Sequence, residues 1–112
     1  MLKAEKITFL KDGTELIFSY LGKSYTLTTK MVGKFNVLNI LAAIGVATNI
    51  GISIEKAIAS VQEFAGVEGR MEHLEHNGVN YYVDFAHSPD ALEQTLSYLS
   101  GIKGDGRLIV TF

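Results

Sequence analysis

Asp84 and His87 lie three residues apart in "VDFAHSPDALE" (83–93), where an apolar run from Val79 to Val83 gives way to Ser-Pro-Asp. A carboxylate and an imidazole so placed could move a proton, hold a ligand or only turn the chain. In open α/β sheets the carboxyl ends of strands face the ligand crevice, where an acid can accept hydrogen bonds from ribose hydroxyls. An Asp at a strand end also turns the backbone. His87 reads as a general base, a phosphate contact or a loop imidazole bonded to backbone. No Ser or Cys nucleophile with a defined partner accompanies the pair, so a hydrolase triad is not read. His73, His76 and His87 lack metal-ligand spacing on one element, and His73 and His76 fall on opposite strand faces. No metal site is expected.

Two further groups could bind. Asn36 and Asn39 lie three apart on an otherwise apolar helical stretch and share a face near its start. An Asn amide offers a donor beside an acceptor, the complement of adenine N6 and N7. The alternative is that one caps the helix and the other bonds the preceding turn. Arg70 sits in "GVEGR" (66–70), where a glycine-bounded hinge could bring a guanidinium to a phosphate oxygen. Its alternative is a surface ion pair with Glu68 or Glu72. No Gly-x-x-x-x-Gly-Lys-Ser/Thr occurs, so the chain has no P-loop of its own.

The elements that must position these residues follow from periodicity. Residues 4–30 predict a three-stranded antiparallel meander, with turns at Asp12-Gly13 and Leu21-Gly22-Lys23. From Gly33 alternation stops, and "FNVLNILAAIGVATN" predicts a helix apolar on most faces and buried on more than one side. Asn49 to Gly51 closes it. Ser53 caps a second helix, "SIEKAIASVQEF", which should pack antiparallel to the first.

"AGVEGR" (65–70) is the expected domain boundary. Beyond it "MEHLEH", Asn77-Gly78 and "VNYYVDF" predict a hairpin with a type I′ turn. Ser88 and Pro89 start a helix running to about Ser100, with Gly101 past its end. "RLIVTF" (107–112) is expected as a buried strand of the parallel-sheet kind. The fold class is α/β, α+β in the first half, and the two halves read as the junction of two domains.

Bulk properties narrow the functional classes. The 112 residues include 47% hydrophobic and 20% charged residues, with a net charge of −2. That balance fits a soluble globular chain and offers no groove for nucleic acid. No cysteine is present, so neither disulfides nor Cys-based metal sites arise. No signal peptide or membrane span is read, and a cytoplasmic location is expected.

Three segments in order, "GKFNVLNILAA" (33–43), "GVEGRME" (66–72) and "VDFAHSPDALE" (83–93), resemble the Mur ligases, and the MurE type most. Folylpolyglutamate synthase and cyanophycin synthetase relatives are the alternative within enzymes. A non-catalytic nucleotide-binding or interaction module is the alternative outside them. The resemblance implies that 1–67 is the C-terminal part of a central ATP-binding domain. It implies that 68–112 begins a Rossmann-like C-terminal ligase domain.

By the same resemblance Asn39, with Asn36 beside it, contacts adenine, and Arg70 reaches the terminal phosphate of ATP when the domains close. Asp84 binds the ribose hydroxyls. His87 lies in a stretch resembling the MurE-type "DYAHTPD", with Phe85 for Tyr and Ser88 for Thr, near nucleotide or substrate. The implied reaction phosphorylates a carboxylate of UDP-N-acetylmuramoyl-dipeptide, and an amino acid then attacks the acyl phosphate. The P-loop and the residues holding Mg²⁺ are expected outside this chain, which alone should not catalyse ligation.

Overall fold

Two tight turns fix the strand registers in the computed structural model, which describes all residues 1–112. Strands β1 (Leu2–Leu10), β2 (Gly13–Tyr20) and β3 (Lys23–Thr29) form an antiparallel sheet in the order β1-β2-β3. Leu21 and Gly22 join β2 to β3 with φ of 49° and 79°, the left-handed pair that a type I′ turn requires. The expected meander is therefore present. A register shift between Ala4 and Lys6 leaves Glu5 as a bulge, and Ser24 Oγ donates to its Oε2 at 3.1 Å.

The period-2 pattern of β2 puts Leu16 and Phe18 on one face, both fully buried, with Leu27 of β3. Helices α1 (Lys34–Asn49) and α2 (Ile54–Glu63) cover that face through Val37, Ile40, Ile44, Ile54 and Ala57. Burying a side chain the size of Phe18 contributes about 1.5–3 kcal/mol. Ser53 caps α2 as expected, its Oγ accepting from Lys56 N.

The expectation for α1 needs correction. Its buried residues are Asn36, Val37, Ile40 and Ile44, whereas Leu38 and Val46 are 63% and 64% exposed. An i, i+4 stripe meets the sheet, and no element of this unit covers the opposite side.

The chain divides into two compact units, Met1–Gly66 and Val67–Phe112. In the second, β4 (Glu72–His76) pairs antiparallel with β5 (Val79–Val83). Asn77 and Gly78 connect them with φ of 50° and 76°, the expected I′ turn. Helix α3 (Pro89–Ile102) starts at Ser88, whose Oγ accepts from Ala91 N at 3.3 Å.

Two expectations fail here. Helix α3 continues through Gly101 to Ile102, and the left-handed residue is Gly104. Gly is tolerated inside a helix at a cost of about 1 kcal/mol, so Gly101 is no obligatory stop. Residues 107–112 form no strand, and Ile109 is 78% exposed. A parallel strand exists only by pairing with a neighbour, and the one sheet of this unit contains only β4 and β5. No helix is long and apolar enough to cross a membrane.

Candidate functional site

The sequence-derived site residues fall into two groups, one in each unit. In the first, Gly33 begins α1 with φ of 94° and no side-chain cap. Asn36 Nδ2 donates to the Val32 carbonyl at 2.7 Å, and Asn39 Nδ2 donates to Asn36 Oδ1 at 3.4 Å. Asn36 is 5% exposed, so its amide serves the turn before the helix. Neither Asn is the N-cap.

Asn39 instead lies on a groove between α1 and α2. The groove is also lined by Met31, Ile40, Ala43, Ser60, Val61 and Phe64, and its volume is about 370 Å³. Its walls are mainly apolar, with the Asn39 amide the largest polar group among them. Met31 is held by its backbone: Thr14 Oγ1 donates to its carbonyl at 2.8 Å, and its N–H donates to Thr29 Oγ1 at 3.2 Å. Thr14 and Thr29 face each other across β2 and β3, so the sheet register fixes this wall. A mainly apolar groove that carries a donor–acceptor amide can receive a small heterocycle.

In the second unit Arg70 and Asp84 are brought together through Met71. Asp84 Oδ1 accepts from Met71 N at 3.1 Å, and its Oδ2 accepts from Thr95 Oγ1 at 2.8 Å. Both carboxylate oxygens thus tie the turn after Arg70 to α3, each retaining a second lone pair for a ligand. Arg70 itself is exposed, and its guanidinium carbon lies 5.1 Å from the centroid of Phe85. Glu72, the surface ion-pair alternative for Arg70, accepts from Gly69 N at 3.0 Å instead.

His87 is exposed, and its Nδ1 lies 2.9 Å from the Phe85 carbonyl oxygen. A carbonyl only accepts, so Nδ1 carries the hydrogen and Nε2 faces away with its lone pair in the neutral ring. Its ring meets Phe85 edge-on at 5.0 Å. The hydrogen bond matches the loop-imidazole reading, and it engages Nδ1 and not Nε2. His73 is engaged apart from this corner, stacked 4.8 Å from Tyr82, with Nε2 2.8 Å from Asn80 Oδ1. No three His, Asp or Glu side chains converge as a metal-binding group.

Sequence reasoning named Glu72 only as an ion-pair partner for Arg70 and Phe85 only as a motif variant, and it did not single out Thr95. Thr95 lies eleven residues beyond Asp84 and meets it only when α3 packs back; no local spacing signals that contact.

Known proteins match the chain in both units. The Mur ligase middle domain matches residues 1–47, and the Mur ligase glutamate ligase domain matches residues 69–112. The chain belongs to the Mur ligase family. A Bacillus cereus relative, UDP-N-acetylmuramoyl-L-alanyl-D-glutamate--2,6-diaminopimelate ligase, is 38% identical over 97% of this chain and 23% of its own length. The chain thus spans about a quarter of the length of the curated relatives it matches.

Among solved Mur ligase relatives, a pseudomurein peptide ligase type C from Methanothermus fervidus is 28% identical. Its TM-score is 0.75, over 95% of this chain and 20% of that one. The MurF ligase of Thermotoga maritima, solved in complex with ADP, shares the fold at 21% identity. Its TM-score is also 0.75, over 88% of this chain and 23% of that one. The α/β fold class and the place of the chain in an enzyme family both stand on these matches.

Proposed function

We propose that this Mur ligase chain forms part of the nucleotide site of an ATP-dependent amide-bond-forming ligase of the MurE type. The acceptor is the carboxylate of a UDP-N-acetylmuramoyl-dipeptide, and the incoming group is an amino acid. Diaminopimelate ligases among the relatives, at 34–38% identity, support the MurE type over the other branches. On this reading residues 1–67 end the central domain and 68–112 begin the C-terminal one. The unit boundary at Gly66 and Val67 supports that division. A peptidoglycan precursor ligase of this kind works in the cytoplasm, where ATP is available.

The observation that carries the proposal is the Asn39 amide on a mainly apolar groove. Adenine needs a flat apolar slot and one group that both donates and accepts, and Asn39 keeps its Oδ1 and one N–H for that purpose. Asn36 orients Asn39 and is itself tied to Val32. Asp84 can accept from ribose hydroxyls with its remaining lone pairs. His87 Nε2 can meet nucleotide or substrate.

The chemistry of the step is charge control. ATP supplies the phosphoryl group that makes the acceptor carboxylate an acyl phosphate, and the amine then displaces phosphate. Negative charge spreads over the phosphoryl oxygens during transfer, and a planar guanidinium stabilises it best when already oriented. Arg70 has that role here. The test is ATP saturation of a full-length ligase carrying these residues. Asn39→Ala should raise KM for ATP about tenfold, in line with one lost bidentate contact. An unchanged KM would remove Asn39 from adenine binding.

A further inference from the structure

The turn carrying Arg70 is fixed at three consecutive backbone N–H groups. Gly69 N donates to Glu72 Oε2 at 3.0 Å, Arg70 N to the Val67 carbonyl at 3.0 Å, and Met71 N to Asp84 Oδ1 at 3.1 Å. Gly69 and Met71 have φ of 69° and 48°. Glycine adopts that region freely, but a residue with a Cβ does so only against steric strain. Met71 is held there by its bond to Asp84 and by burial of its side chain, which is 4% exposed. Asp84 is held in turn by Thr95, 8% exposed on α3.

The side chain is constrained as well. Its guanidinium rests over the Phe85 ring, and Phe85 directly follows the Asp84 that fixes the turn. Backbone on one side and ring on the other therefore derive from the same two residues. An unrestrained arginine loses rotamer entropy when it binds a phosphate. The contact with the Phe85 ring lowers that loss, and the fixed turn narrows where the guanidinium can be.

We propose that Glu72 and Thr95 are positioning residues for Arg70. Glu72 acts through the Gly69 N–H, and Thr95 acts through Asp84 and the Met71 N–H. The functional meaning rests on the reading of Arg70 as a phosphate-binding arginine, while the positioning itself can be measured without any reaction.

Nuclear magnetic resonance of the 112-residue chain tests it. In the wild type the Arg70 side-chain protons should be shifted upfield by the Phe85 ring, and the Gly69 and Met71 amides should be protected from exchange. Glu72→Ala should abolish the upfield shift and speed Gly69 exchange about tenfold, with the His73–Tyr82 cross-strand contacts retained. Glu72→Gln keeps an acceptor oxygen and should restore both signals.

Thr95→Val should affect Met71 exchange and the Arg70 shift in the same way, and Thr95→Ser should restore them. This second pair decides the matter where Glu72→Ala unfolds the hairpin. Unchanged Arg70 shifts and unchanged amide exchange in Glu72→Ala and Thr95→Val would overturn the proposal. Normal turnover of Arg70→Ala in a full-length ligase would defeat the phosphate role and leave the resonance results standing, so the two failures are distinguishable.

Discussion

The guanidinium carbon of Arg70 lies 5.1 Å from the centroid of the Phe85 ring, and the His87 ring meets that same ring edge-on at 5.0 Å. A cation over an aromatic face gains about 0.5–1 kcal/mol at an exposed site. That is enough to bias a long side chain toward one rotamer and too little to hold it against a phosphate. The pairing suits an arginine that must be near its working position and still free to engage.

Asp84 carries two burdens, and substitutions separate them. Asp84→Ala removes the acceptor for Met71 N and for Thr95 Oγ1, and should destabilise the second unit by about 2–3 kcal/mol. Asp84→Asn keeps an oxygen for Met71 N, and its amide can donate to the Thr95 hydroxyl, so the loss should be about 1 kcal/mol. Chemical denaturation of the two variants measures both values. Equal stability of Asp84→Ala and the wild type would show that the tie is dispensable.

Leu21 is an exposed residue held in a left-handed conformation, with φ of 49° and 74% exposure. Asparagine adopts this region with less strain and is favoured at the first central position of a type I′ turn. Leu21→Asn should stabilise the first unit by about 0.5–1 kcal/mol and raise its Tm. A lowered Tm would mean that Leu21 contributes packing its exposure does not reveal.

Burial first, and then the neighbouring Tyr82, push the Tyr98 hydroxyl up to about 12 from an ordinary 10.0. Below pH 10 both folded and unfolded chains hold the proton. Between pH 10 and 12 the unfolded chain releases it first, so stability falls with rising pH across that window and levels off above it. The loss should be about 1 kcal/mol, discounted for the partial exposure of the ring. Tyr98→Phe should remove this component from the pH dependence of the melting curve. An identical slope in the variant would contradict the shift.

Much of the fold was legible because its signals are local. The Asn77-Gly78 turn, the Ser53 and Ser88 caps and the alternation of Leu16 and Phe18 each act within a few residues. The misreadings share the opposite cause. Residues 107–112 have strand-like composition, but a strand is a property of pairs. Exposure of Leu38 and Val46 on α1 depends on which faces other elements cover. Within the site, the types of Asn39, Arg70 and Asp84 pointed to binding. The Gly69 bond to Glu72 and the Thr95 bond to Asp84 depend on the folded turn and on α3, and no spacing rule announces them.

The proposed role of Arg70 at the transferring phosphate is the part of the mechanism most directly open to measurement. Single-turnover formation of ADP by a full-length ligase carrying these residues, compared between wild type and Arg70→Ala, addresses it directly. The expected result is a rate lowered about 10²-fold or more, with nucleotide affinity changed little. Wild-type rates in Arg70→Ala would contradict the assignment.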